Sequence, residues 1–472
     1  MPVGRRNYND AEKLRGKFFD FLLKKPCTSG QAAEYLSSLD AAEEMPAEPP
    51  IPAPEAEETA AYPGSAAESY GVTPLAQAEY PAAIGVEDYD DASANWVANQ
   101  TDDNTKAALN AFAYRTAAAI LRDNGVSGAY SPLSLYQALA VLTSGSQGNT
   151  RDQLLSLLGQ PDLETLADQA GKLYRVNYKY NELDTLQIAN SLWLDETLGN
   201  IPVEYSREWV MSAAIDYYAD VFEAEFDTAD TPGAMGVWIA EHTGGLLHPS
   251  LEFSPETVMA IVNTLYYKSA WVDEFLPGNT SPDNFTTDGG ETVQADFMHR
   301  TDDSGTCIQT DRYTKSSLNL SIGRMIFVLP AEGMDVDELL TEESLWEIFE
   351  NGDYQSAKVN WSVPKFVNNA TFELLDTLEA LGVTDAFDGN TADFGLIADT
   401  PLYVSQVQQG THIGVDEEGV EAAAYTEIAL AGEGLPEELP EIDMNLNRPF
   451  LYLITANDGS TLFIGVVRNP TG

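Results

Sequence analysis

Apolar and polar positions alternate with a period of two near the C-terminal end. Val420, Ala422, Ala424, Thr426, Ile428, Leu430 and Gly432 form a face with no charge and no large ring. Glu421, Tyr425, Glu427 and Glu433 stand on the opposite face, with Ala423, Ala429 and Ala431 between them. One small apolar face and one charged face describe a half-buried strand. The same stretch follows an acidic turn over 416–419, is rich in Ala and Gly, and ends in Gly432-Glu433-Gly434 and Pro436, which are loop signals. The pattern predicts a loop able to become a strand; local propensity alone offers an Ala-rich helix as the alternative. Beyond it, Asn447 to Ile454 and Thr461 to Val467 read as two apolar strands turned at Asn457-Asp458-Gly459.

Upstream, a helical pattern starts near Asp102 and runs from Ala107 to Leu121. Ser131-Pro132 predicts a second helix start, a hydroxyl cap followed by Pro at the first helical position. Ile261 to Trp271 reads as a long apolar strand interrupted by Asn263, which must find hydrogen-bond partners if buried. Met325 to Pro330 reads as a buried strand ended by Pro. Residues 1–40 carry two short helical patterns, the second opened by Thr28-Ser29-Gly30-Gln31 as in a capping box. Residues 41–100 shift to Ala, Glu, Pro and Gly, the composition of an acidic disordered linker. A single large domain is expected over 101–472.

Charge narrows the partners. The 75 acidic against 24 basic residues give a formal net charge of −51. Such a coat repels nucleic acid and anionic membranes and keeps a chain soluble. Cys27 and Cys307 are the two cysteines, which allow at most one internal disulfide and no thiolate cluster. A basic N-terminus followed by Phe18-Phe19-Asp20-Phe21-Leu22-Leu23 is too short and too interrupted for a clear secretory signal, and reads better as an amphipathic helix. No stretch is long enough to span a bilayer.

Catalysis finds little support. Ser146 lies in Gly145-Ser146-Gln147-Gly148, off the spacing of a nucleophile elbow. His242 and His248 are wrongly spaced for two ligands on one helical face, and no phosphate-loop, dinucleotide or zinc-protease motif occurs. Neither an enzyme nor a metal or cofactor is expected.

Gly419 with the alanine run Ala422-Ala423-Ala424, followed by Arg448-Pro449-Phe450-Leu451-Tyr452-Leu453-Ile454, closely resembles the serpins, strained-loop inhibitors of serine proteases. Ser131-Pro132-Leu133-Ser134, Asn263, Val363-Pro364-Lys365-Phe366, Leu381 to Phe387 and Leu402-Tyr403-Val404-Ser405 continue the family order. The resemblance covers roughly 102–472 and leaves the first hundred or so residues unexplained. It implies an α+β serpin fold of about three β-sheets and eight or nine helices with an exposed reactive-centre loop. It further implies a loop hinge over Gly419, Val420, Glu421, Ala422, Ala423, Ala424, Tyr425 and Thr426. The shutter, where the central sheet parts, falls on Ser131, Pro132, Ser134, Asn263 and Gln409. Gln409 stands where the family commonly has His, and Val420 where it usually has Thr or Ser. Counting about fourteen positions past Gly419 puts the reactive bond at Glu433-Gly434, with Ala431-Gly432 second.

The implied function is suicide inhibition of a serine protease, held as a covalent complex by a monomer acting outside the cell or at its surface. The alternative is a non-inhibitory serpin-fold binding or chaperone-like protein. The uncharged insertion face favours inhibition, because a charge there would be buried unpaired.

Overall fold

The computed structural model describes residues 70–122, 125–198, 201–247, 249, 251–253, 257–421 and 439–471. The helices expected over 1–40, Cys27, the hinge from Ala422 to Thr426 and the bond Glu433-Gly434 lie outside the described residues.

Among the described residues there are nine α-helices and three sheets, the α+β architecture that was expected. The central sheet is built on seven strands in chain order: β1 (Thr73–Ala76), β2 (Thr185–Asp195), β3 (Ala219–Ala224), β4 (Met259–Ala270), β5 (Phe366–Glu373), β6 (Gln406–Val415) and β7 (Gly419–Val420). Their spatial order is β1-β3-β2-β4-β7-β6-β5, with the short strand Lys179–Tyr180 beside β2. Alternation fixes the faces. On β6, Val407, Gln409, Thr411, Ile413 and Val415 are buried inward, whereas Gln406, Gln408, His412 and Gly414 keep some exposure. On β4 the C-terminal half behaves alike: Leu265 and Tyr267 are buried, Tyr266 and Lys268 half-exposed.

The Pro132–Gly145 helix lies beneath this sheet and is buried along its whole length. A helix that is apolar nearly all round belongs inside a core, and it packs on β2, β4 and the Thr461–Val467 strand. Its start is the one expected: Ser131 Oγ accepts from Ser134 N and Pro132 occupies the first turn. A second, nine-stranded sheet holds the hairpin Phe450–Thr455/Thr461–Val467 near one end, inside the short terminal strand Gly128–Tyr130, with both strands buried on both faces. Strands covered on both sides read as continuous apolar runs, as these do.

The linker expected over 41–100 does not extend through its last thirty or so residues. From Tyr70 onward β1 adds to β3 as an antiparallel edge strand, with Thr73 opposite Glu223 and Pro74 opposite Phe222. Ala78 N donates to Asp220 Oδ1 at 2.8 Å, and a helix follows at Tyr89–Ala98. Composition describes what a segment can bury by itself; it says nothing of an open sheet edge, where even a Pro-containing segment gains backbone partners.

Candidate functional site

The central sheet is divided between β4 and β6. Over their lower halves they pair directly and in parallel, Ala260–Thr264 against Gln406–Gly410. Above Gly410 the two strands take a wedge between them: β7 runs antiparallel to both, with Gly419 opposite Ala270, Val420 opposite Ser269, and Val420 opposite Val415. Val420 is fully buried and belongs to the main core. The first apolar residue of the alternating pattern therefore already occupies the inward face. Glu421 follows with φ +53°, a left-handed conformation that is uncommon outside glycine, and the described stretch ends there.

The turn before the wedge is tied down by its own acids. Asp416 Oδ1 accepts from Glu418 N at 2.9 Å, and Asp416 N donates to Gly419 O at 3.1 Å. Trp271 Nε1 donates to Asp416 O at 2.9 Å and Trp271 N to Glu418 O at 2.9 Å. Glu417 accepts from Lys365 Nζ at 2.6 Å and from Thr280 Oγ1 at 2.8 Å. Burial works to raise the Glu417 carboxyl, but the Lys365 and Thr280 hydrogen bonds hold it below the usual carboxylate range; the same bond to Glu417 raises Lys365.

Where the directly paired half of the sheet begins, four of the five expected shutter residues meet, Ser134, Asn263 and Gln409 through their side chains and Ser131 through its backbone. Gln409 Oε1 accepts from Ser131 N at 2.8 Å, and its Nε2 donates to Ser131 O and Asn263 Oδ1, both at 2.9 Å. Ser134 Oγ donates to Asn263 Oδ1 at 2.7 Å, and Asn263 Nδ2 returns a bond to Ser134 O at 3.0 Å. Gln thus bridges the Pro132–Gly145 helix start to β4, using donor and acceptor together. Pro132 contributes the backbone at the helix start rather than a polar contact.

Sequence reasoning missed Asn190, whose Oδ1 accepts from Asn263 Nδ2 across the β2–β4 pair. Its signal was available: an Asn inside a run, Thr185–Asp195, that is otherwise dominated by apolar residues. His412 was also missed. Its Nε2 lies 2.7 Å from Glu421 Oε1 and its Nδ1 contacts Asn369 Oδ1. The other described histidines have local roles: His242 Nδ1 is 2.8 Å from Trp238 O, and His299 lies near Ser281 Oγ. Ser146 Oγ donates to Thr143 O at 2.7 Å, as part of a helix end.

Asn263→Ala is expected to destabilise the intact protein by about 3 kcal/mol or more, because four buried groups lose a partner at once. Urea unfolding of the variant against the parent checks this; a loss below about 1 kcal/mol would mean the network carries little of the stability.

The family model for serpin (serine protease inhibitor) matches residues 107–470. Serpin-Z2A of Triticum aestivum is 30% identical over 376 residues, covering 72% of this chain and 89% of that protein. An uncharacterized serpin-like protein of Methanosarcina acetivorans is 29% identical over 408 residues, covering 82% of this chain and 87% of its own length. In structure, the thermophilic serpin tengpin in its native state superposes with a TM-score of 0.68 at 25% identity, over 84% of this chain and 99% of that one. With the split central sheet and its polar lock, these matches show that the chain belongs to the serpin family.

Proposed function

We propose that the protein inhibits a serine protease as a suicide substrate, trapping it as an acyl-enzyme by inserting its loop between β4 and β6. The observation that supports this reading most is Val420, an apolar residue seated in antiparallel register between the two strands that would have to receive the rest of the loop. The register extends by arithmetic, one strand advancing as its neighbour runs back. Ala422 would fall between Ile413 and Tyr267, Ala424 between Thr411 and Leu265, and Thr426 between Gln409 and Asn263. All six neighbours are buried. Small uncharged residues are what such positions admit.

In this mechanism the protease attacks the loop and forms its acyl-enzyme. The freed hinge segment enters the sheet. From Gly419 to Glu433 an extended chain spans roughly 45 Å, so insertion carries the bound enzyme across the molecule. A protease distorted on arrival loses oxyanion-hole donors, each worth about 10²–10³ in rate, and deacylation stalls. Serpins in general inhibit rather than catalyse. The partner is the target protease, bound covalently by one inhibitor molecule, and the place of action is wherever that protease works, outside the cell or at its surface.

The test is incubation with a panel of serine proteases followed by boiling in detergent. A one-to-one adduct is expected with at least one enzyme, and mass spectrometry of the small released fragment should place the cut at Glu433-Gly434 or Ala431-Gly432. If every protease that cuts the loop turns over freely, the non-inhibitory serpin reading replaces this one.

A further inference from the structure

Glu421 is held in the intact protein by three separate features of β5 and β6. Its carboxylate meets His412 Nε2 at 2.7 Å, with both side chains largely buried, at 16% and 13% exposure. His412 is itself braced by Asn369 on β5. Gly414 makes room for the carboxylate: a Cβ there would stand 2.2 Å from Glu421 Oε1. Glu421 N also donates to Gly414 O at 3.1 Å. The residue is thus fastened in a left-handed conformation one position beyond the buried wedge. A strand cannot pass through that conformation, so insertion beyond Val420 requires Glu421 to become extended.

What awaits it on the other side is fixed by the register. Gly419 pairs with Ala270 and Val420 with Ser269, so an extended Glu421 falls opposite Lys268. Lys268 is on the outward, half-exposed face of β4, the same face that Glu421 would take. Directly opposed side chains of an antiparallel pair stand about 5 Å apart at Cβ, close enough for an ion pair.

We propose that Glu421 is a partner-exchange latch: His412 holds it before insertion and Lys268 receives it afterwards. The proposal rests on the loop-insertion reading above. The first contact restrains the intact state and the second belongs to the inserted state, so His412 and Lys268 act on the same step with opposite signs. His412, Asn369 and Gly414 are positioning residues here, setting how readily the hinge lets go.

The test uses the full chain and two measurements. The first is the rate at which uncleaved protein, warmed to a fixed temperature, converts to a urea-resistant monomer. His412→Ala, Glu421→Gln and Gly414→Ala are each expected to convert about three- to tenfold faster than the parent, as expected for loss of a sheltered side-chain hydrogen bond. The His412→Ala/Glu421→Gln double variant should be no faster than its faster single. The second is the denaturant midpoint of protein cut in the loop. Lys268→Met and Glu421→Gln should lower it by the same amount, and His412→Ala should leave it in place. A His412→Ala rate equal to or below the parent's, or additive effects of His412 and Glu421, overturns the latch. If cleavage raises the parent's midpoint but Lys268→Met does not lower it, the exchange alone is overturned. If cleavage does not raise the parent's midpoint at all, the insertion reading falls and the exchange with it.

Discussion

Ala424→Glu is expected to convert the protein from a trap into a substrate. In the register set by Val420 the new carboxylate would lie between Leu265 and Thr411, on the inward face above the Pro132–Gly145 helix. An unpaired charge there costs several kcal/mol. If about 3 kcal/mol of that is felt as the strand enters, insertion slows by about two orders of magnitude while deacylation is unchanged. The acyl-enzyme then hydrolyses before the protease has been carried away. On a denaturing gel the adduct band should give way to cleaved inhibitor, and active protease should be recovered. Ala422→Arg, between Ile413 and Tyr267, should behave alike. Ala423→Glu is the control. It falls between His412 and Tyr266 on the half-exposed face and should keep most of the adduct. Equal loss of adduct from both faces would show that the period-two assignment is out of register.

The alternation that begins at Val420 was legible because small residues at every second position say which face is buried without saying what covers it. The Ser131-Pro132 helix start and the C-terminal hairpin were legible for similar reasons, since capping and continuous apolar runs are local. Asn263 could be singled out as a buried polar residue in need of partners, but the partners themselves come from chain positions far away. Ser134 lies 129 residues off and Gln409 lies 146 off. No local pattern links them; the order of family motifs did. Asn190 escaped because β2 carried no family motif to draw attention to it. The Glu421–His412 contact escaped because it depends on a left-handed residue and on the space left by Gly414, neither of which has a periodic signature. Residues 70–100 were misjudged because their order comes from what they meet rather than from their own composition: the edge of β3 for Thr73–Ala76, and Arg175, bonded by Asn95 and Asn99, for the region of the Tyr89–Ala98 helix.

In the proposed mechanism the arrangement of β4 and β6 would also divide insertion into two stages. Glu421 to Ala424 would enter where the strands are not paired with each other. Tyr425 would reach Gly410 and Thr264, the first of five directly paired positions, and each further residue must displace one parallel pair. Asn263 and Gln409 sit at the next pair, bonded to each other and to the helix start. The polar network thus stands just inside the closed half of the sheet, where parting it exposes the most buried hydrogen bonds at once. Thr426, delivered between these two residues on the inward face, carries a hydroxyl able to satisfy part of what is broken.

Cleavage in the loop is expected to raise the melting midpoint by at least about 10 °C. Backbone hydrogen bonds cannot be the reason. Each is worth about 1 kcal/mol net, against about 1–2 kcal/mol of backbone freedom lost per ordered residue. The five β4–β6 pairs are also given up. Side chains supply the favourable part: burying Ile428 and Leu430 gains about 1.5–3 kcal/mol each, with smaller gains from Ala422, Ala424 and the methyl of Thr426. That sum only offsets the ordering cost. A net gain must therefore come from the sheet itself, where, among the described residues, only the short strand Gly419–Val420 stands between the upper halves of β4 and β6. Completing the sheet relieves that discontinuity, and the release of strain supplies the surplus. In a domain of this size about 10 kcal/mol moves the midpoint by roughly 10–20 °C. Circular dichroism melts of intact and loop-cut protein at the same concentration check it. A cut form that melts with the intact one, or below it, would mean that no strain is stored between β4 and β6 and that the wedge at Val420 is as far as the loop goes.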